Sequence, residues 1–158
     1  MDYPKTNVIR CLLQHDIPFE VFTYAYEERG GTRVSSRELG VDEHAVIKTL
    51  VMETDAKDPL IVLMHGDREV STKQLARLLG VKSVAACEPK VADRHSGYMV
   101  GGTSPFGTRR AMPVYAEQSV LELPQIYINA GRRGMLVRID PKDMARAIKI
   151  TPVQVAIG

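Results

Sequence analysis

Residues 46–67 read VIKTLVMETDAKDPLIVLMHGD. Two apolar runs flank the polar turn D-A-K-D-P, so the stretch is expected to fold as two adjacent strands in a hairpin. One residue stands out within it. Side chains alternate between faces along a strand, so Lys48 shares its face with Val46, Leu50 and Met52, while Ile47, Thr49 and Val51 take the other. A lysine among apolar neighbours snorkels to solvent, pairs with a carboxylate, or lines a pocket that receives an anion. It can also be an edge-strand residue that discourages aggregation. In a pocket its point charge suits a phosphate.

Upstream of the hairpin, Pro4 suits the first turn of a helix carried by Val8, Ile9, Leu12 and Leu13. Pro18 opens the extended run FEVFTY, 19–24, followed by the turn-like E-E-R-G-G. Ser35 or Ser36 is expected to cap a short helix ending at Gly40, and Asp42 to cap another turn. Downstream, Ser71 and Gln74 form a capping box, with Leu75, Leu78 and Leu79 as an apolar stripe before Gly80. Residues 81–86 are β-like, and Glu88-Pro89 opens a helix running to about His95. MPVYAE (112–117), QIYINA (125–130) and GMLVRI (134–139) read as strands, the last two paired through the turn A-G-R-R-G. Asp140-Pro141-Lys142-Asp143 has the cap, proline and acid of a helix N-terminus, and ITPVQVAI (150–157) returns as a strand.

Strands joined by tight turns and interspersed with short helices imply an α+β fold with a mixed, mostly antiparallel sheet. A doubly wound parallel fold would need regular strand–helix alternation, which the C-terminal half lacks. No internal repeat, linker or low-complexity tract divides the chain, so residues 1–158 are expected to form a single domain.

Composition narrows the function. Hydrophobic residues make up 44% and charged residues 25%, which argues against disorder. The apolar runs are too short to span a bilayer, and the N-terminus lacks a signal-peptide core, so no membrane partner and a cytoplasmic address are expected. The two cysteines, Cys11 and Cys87, stand far apart, and no CxxC, HxxxH or HExxH occurs, so no metal or cofactor is expected. Both thiols read as small, partly buried hydrophobes. The histidines His15, His44, His65 and His95 show no spacing that assembles a catalytic triad and read as surface or structural, although His65 and His95 could approach a pocket.

Net charge is only +2, from 21 basic and 19 acidic residues, which excludes a strongly basic tail but not a local patch. The pairs Arg109-Arg110 and Arg132-Arg133 each adjoin a glycine-rich turn, and Lys90, Arg94 and His95 precede the first of them. That first turn is V-G-G-T-S-P-F-G, 100–107. It has neither Walker nor dinucleotide-binding spacing. Its Gly-Gly start admits close backbone approach, Thr103 and Ser104 add hydroxyls, and Pro105 fixes the turn. Such a loop either turns the chain or presents backbone groups to an ester.

Taken together, K-T-L at 48–50, V-G-G-T-S-P-F-G at 100–107 and A-G-R-R-G at 130–134 resemble the YbaK/EbsC family, from about Phe19 to Asp143. That family includes the bacterial Cys-tRNA(Pro) deacylase and is related to the inserted editing domain of prolyl-tRNA synthetases. The resemblance implies a YbaK-like curved, barrel-like sheet with helices around it, and trans-editing of mischarged tRNA, with Cys-tRNA(Pro) foremost and prolyl-tRNA synthetase as a further partner. By the same resemblance, Lys48 matches the lysine expected to hold the 3′-terminal nucleotide, and Gly101, Gly102, Thr103 and Ser104 the loop whose backbone holds the aminoacyl group, completed by Pro105. Thr49, Asn129, Gly131, Gly134 and either Phe22 or Tyr24 would line the substrate pocket, with Arg109, Arg110, Arg132 and Arg133 toward the RNA. Asn129 stands where Cys-specific members tend to carry a small hydroxyl residue, and Met135 and Leu136 where some carry an acid.

The absence of an evident nucleophile or metal fits a substrate-assisted route, with the thiol of the substrate or a positioned water attacking the ester. The alternative class is a non-catalytic module that grips aminoacyl-tRNA or a synthetase, and a third is a hydrolase of simple esters.

Overall fold

The computed structural model describes residues 3–158. The first helix, α1 (Asn7–Gln14), is capped by Thr6, whose Oγ1 accepts from the Ile9 N–H at 3.2 Å, so Pro4 lies ahead of the helix rather than in its first turn. Strand β1 (Glu20–Thr23) follows, then α2 (Gly31–Leu39). Here the sequence expectation fails. Ser35 and Ser36 do not cap α2; both are buried inside it, donating back to the Thr32 and Arg33 carbonyls at 3.2 and 3.1 Å. The helix starts at Gly31, five residues before the start a Ser35 cap would give, and Arg29, at φ 61°, turns the chain just ahead of its N-cap Gly30. Its C-cap is Gly40, as expected, and Asp42 caps a short 3₁₀ helix at Glu43–Ala45.

The hairpin forms as β2 (Val46–Thr54) and β3 (Pro59–His65), in register from Ile47↔His65 to Glu53↔Pro59. Then come β4 (Glu69–Val70), α3 (Thr72–Leu79), β5 (Val84–Ala86) and α4 (Pro89–Ser96). Ser71 caps α3 as expected, accepting from the Gln74 N–H at 3.2 Å. After the glycine loop lie β6 (Val114–Glu117), α5 (Gln118–Leu121), β7 (Ile126–Asn129) and β8 (Met135–Ile139). A 3₁₀ helix (Pro141–Arg146) capped by Asp140 leads to β9 (Ile150–Val153) and β10 (Ala156–Ile157). The last run is therefore two strands rather than one.

The main sheet runs β1-β8-β7-β2-β3-β6-β9, with β5 also paired to β2. Antiparallel pairs join β1–β8, β7–β8, β2–β3 and β2–β5, and parallel pairs join β2–β7, β3–β6 and β6–β9. The α+β reading with a mixed, mostly antiparallel sheet holds. The sheet does not close into a barrel: β1 and β9 remain its edges. A separate two-stranded sheet pairs β10 with β4.

One face of the main sheet packs a large core with α1, in which Ile47, Val51, Ile61, Leu63, Ile128 and Val137 meet Val8, Ile9 and Leu12. The other face is covered at two ends only. At one end Met52, Leu60, Val62 and Met64 pack against Leu75 and Ala76 of α3. At the other, Val46, Tyr127 and Leu136 pack with Phe22, Tyr24 and Leu39. Lys48 lies between these two clusters.

Candidate active site

The gap at Lys48 is matched by a gap in the strand pairing. β7 pairs with β2 only at Val46 and Ile47, and β5 joins the same edge only from Met52. Between them, residues 48–51 have no strand partner on that side. The Val51 carbonyl accepts from Cys87 N–H on this edge, while the Val46 carbonyl accepts from Gly66 N–H on the β3 side. Backbone groups alternate along a strand, so Thr49 turns its backbone toward the gap. Its hydroxyl, on the face shared with Ile47 and Val51, is buried with no hydrogen-bond partner among the described residues.

A cavity of about 490 Å³ occupies this opening. Its floor is β2 from Val46 to Leu50, with Asn129, which the parallel register sets beside Lys48 on one face. One wall runs from Tyr24 through Tyr26 and the start of α2 to Ser35; the other holds Pro89, Val100, Gly101 and Arg133. Lys48 is held by the Arg68 backbone carbonyl, to which its Nζ donates, and by Glu69 Oε1 at 3.3 Å. Glu69 is largely exposed, so this pair is weak and leaves the ammonium open to a stronger anion.

The glycines of the loop are required by close packing. Gly101 has φ +100°, and a Cβ there would lie 2.6 Å from the Tyr26 hydroxyl. A Cβ on Gly102 would lie 2.8 Å from the Arg132 backbone, so the two glycine turns touch through bare main chain. Arg133 clamps the junction: its Nε donates to the Val100 carbonyl at 2.9 Å, and its guanidinium lies over the Tyr26 ring at 5.1 Å. Tyr24 N–H donates to the Gly134 carbonyl at 2.9 Å, fixing the aromatic wall to the second turn, and burial pushes the Tyr24 phenol up.

Among the residues singled out from sequence, Lys48, Thr49, Tyr24, Gly101, Asn129 and Arg133 converge on this cavity, and Gly102, Arg132 and Gly134 pack behind it. The rest stand apart. Phe22 packs edge-on to Tyr127. Thr103 and Ser104 are buried with their hydroxyls turned into the loop, Thr103 toward the Met99 carbonyl and Ser104 accepting from Phe106 N–H. Gly131 sits against Tyr98 and Val8. Pro105 and Arg109 border a different cleft of about 730 Å³, and Arg110 is exposed beyond it. Sequence reasoning missed Tyr26, Glu27, Glu28, Arg29 and Thr32. Their one signal was the alternation Tyr24–Tyr26, which carries the line of β1 past its last paired residue.

No cysteine or histidine lines the cavity among the described residues. Burial pushes both thiols up, Cys87 to about 11, so both stay protonated at neutral pH. His44, His65 and Asp67 come close enough to suggest a ligand set. His65 Nδ1 is bonded to the His44 carbonyl and Nε2 to Ser119 Oγ, both at 2.7 Å, while His44 Nδ1 meets Asp67 at 2.8 Å. The two rings stack at 3.7 Å, so their in-plane lone pairs run parallel instead of converging on one point. The group is a structural brace.

Residues 31–147 match the family described as the aminoacyl-tRNA editing domain. The chain belongs to this family. It is 31% identical over 139 residues to a candidate Cys-tRNA(Pro)/Cys-tRNA(Cys) deacylase, EbsC, of Enterococcus faecalis, covering 87% of this chain and 85% of that protein. It is 33% identical over 79 residues to the proline–tRNA ligase of Nitratidesulfovibrio vulgaris, half of this chain but 14% of the ligase. The solved structure of a candidate trans-editing enzyme for prolyl-tRNA synthetase superposes with a TM-score of 0.84 at 18% identity, covering 96% of each chain, which bears on the fold. The YbaK-like expectation for this editing domain holds. No helix among its described residues is long and apolar enough to cross a membrane.

Proposed function

We propose that this editing domain is a trans-acting deacylase that cleaves the ester of mischarged tRNA, with Cys-tRNA(Pro) the first substrate to test and prolyl-tRNA synthetase the synthetase whose errors it corrects. The observation that carries this reading is the opening in β2, where Lys48, Thr49, Gly101 and Asn129 share one cavity. The Lys48 ammonium takes a phosphate of the 3′-terminal nucleotide. The aminoacyl group lies along the gap, against the bare backbone of Gly101. The Gly101 N–H makes no bond among the described residues, which makes it the candidate donor to the oxyanion that develops on the ester. Glu28 on the rim forms no ion pair among the described residues, and its carboxylate suits an α-ammonium.

With no thiol or imidazole in the wall, the nucleophile comes from the substrate or from water. For a cysteinyl ester, the substrate sulfur loses its proton and forms a bond to the carbonyl carbon. The bond from that carbon to the ribose oxygen breaks, and the oxygen takes up the proton to leave a free 3′-terminal hydroxyl. For an alanyl ester, a water held in the cavity attacks the same carbon. Binding energy from the nucleotide is used to place the ester rather than to activate a side chain.

The test is amino-acid release from a panel of Cys-, Ala-, Ser- and Thr-charged tRNAs. Wild-type protein should release at least one of them, and Lys48→Ala should lower kcat/KM about a hundredfold, roughly 2.7 kcal/mol of lost transition-state stabilisation. Retention of full activity by Lys48→Ala would remove the lysine from the site. Binding of tRNA without release of any amino acid would make the protein a non-catalytic module.

A further inference from the structure

We propose that the RNA leaves the cavity along α4, its 3′ strand crossing a cationic patch made of Lys90, Arg94, Arg109 and Arg110. This rests on the editing reading above and assigns the route by which the body of the tRNA approaches the site. α4 starts at the cavity, where Pro89 forms part of the wall, and ends at Ser96, about 12 Å further on at 1.5 Å per residue. Gly97 then reverses the chain, the loop dips back to the cavity at Val100 and Gly101, and residues 109–110 return to the end of the helix. Arg109 N–H donates to the Ser96 carbonyl at 2.9 Å and Arg110 N–H to the His95 carbonyl at 3.1 Å. Basic residues from two separate segments are thereby pinned together.

Their charge is not neutralised by the fold. Lys90, Arg94, Arg109 and Arg110 are exposed, and among the described residues none of them forms an ion pair. Lys90 and Arg94 lie four apart, on one side of α4. The acid between them, Asp93, is taken up by the loop, accepting from the Val100 N–H at 3.0 Å. Burial, then Arg110 and Arg94, push the His95 imidazole below its ordinary value, with Glu53 opposing. On the α2 side the charge is mixed: Arg37 lies 3.2 Å from Glu27 and 3.8 Å from Glu38, Glu28 adds a further acid, and Arg29 and Arg33 are exposed without an ion pair among the described residues. A polyanion leaving the cavity therefore meets four unpaired cations along α4 against the two acids Glu88 and Asp93, and along α2 two unpaired cations, Arg29 and Arg33, among the three acids Glu27, Glu28 and Glu38. A nucleic-acid strand stacked at about 3.4 Å per phosphate crosses the 12 Å in three or four phosphates, which matches the number of exposed cations.

The experiment pairs charge reversal with substrate length. Arg94→Glu with Arg110→Glu is compared with Arg33→Glu and Arg37→Glu on the α2 side. Substrates are mischarged full-length tRNA and a 3′-aminoacyl CCA trinucleotide too short to cover the patch. The α4 pair should raise KM for the full tRNA about tenfold more than for the trinucleotide. It should also flatten the log–log salt dependence of deacylated-tRNA binding by about 0.7–0.9 for each phosphate the protein no longer neutralises. The neutral pair Arg94→Gln with Arg110→Gln should show the same pattern at lower amplitude, which guards against misfolding of the reversed pair. Equal losses on both substrates, or a larger effect from the α2 pair, would overturn the proposal. If wild-type protein deacylates nothing, the editing reading fails on its own, and the salt dependence of tRNA binding still decides whether the patch holds RNA.

Discussion

At the scale of single residues, Thr49 carries the clearest conflict between folding and function. Its hydroxyl is buried without a partner among the described residues, at a point where its strand lacks a neighbour on one side. An unpaired buried hydroxyl costs about 1–3 kcal/mol, and valine replaces it at nearly the same shape. Thr49→Val should therefore raise the melting temperature, by about 2–4 °C for each kcal/mol recovered. If a ligand is what completes the hydroxyl, the same change should lower deacylation; a thermal melt and a single-turnover assay read the two effects. A variant both more stable and fully active would make Thr49 a packing residue only. Lys48 was legible in the sequence because a charge in an apolar strand has few places to go. Tyr26 and the acids after it were not, because E-E-R-G-G has the composition of a solvent turn and nothing local shows that it folds back over the sheet.

At the scale of elements, most of the local structure could be read directly. The β2–β3 hairpin, the Ser71 cap, the Gly40 stop and the β7–β8 pair all follow from signals within a dozen residues. The start of α2 did not follow, since two serines inside a helix look like caps when the left-handed Arg29 before it is unseen. His65 is an element-scale device of another kind. It ties β3 to α5 through Ser119 and to the preceding 3₁₀ helix through the His44 carbonyl. Burial is the main cause that lowers its pKa, opposed by the His44 carbonyl and helped by the His44 charge. The folded protein thus holds His65 neutral, while the unfolded chain binds a proton near pH 6.5. The unfolded state gains protons first as pH falls, so stability is full above about pH 6.5 and declines below it, down through the folded value. Denaturant melts across that range should show this slope, and His65→Gln, though less stable at pH 7.5, should show a shallower one. An unchanged slope in the variant would assign the acid sensitivity to other groups.

At the scale of the whole molecule, sequence signals could not order the sheet. The parallel neighbours β2–β7, β3–β6 and β6–β9 join segments brought together only by the complete fold. The opening in β2 is a product of that order, because β7 leaves the edge before β5 arrives. The small β4–β10 sheet has a similar dependence. Ala156 pairs with Val70 and Ile157 with Glu69, directly beside the Arg68 carbonyl that holds Lys48. Arg68 in turn donates to the Gly158 carbonyl at 3.4 Å. Two strands of two residues each form a unit far less cooperative than the eight-stranded sheet, and such units open well below the global free energy. On warming, the lysine should lose its mooring while the core is still intact. Deacylase activity is accordingly expected to fade several degrees below the cooperative melting transition, and removal of residues 156–158 should widen that interval; coincident loss of activity and structure would show the two sheets to be one cooperative unit. The working temperature of the protein is then set by its smallest sheet rather than by its core.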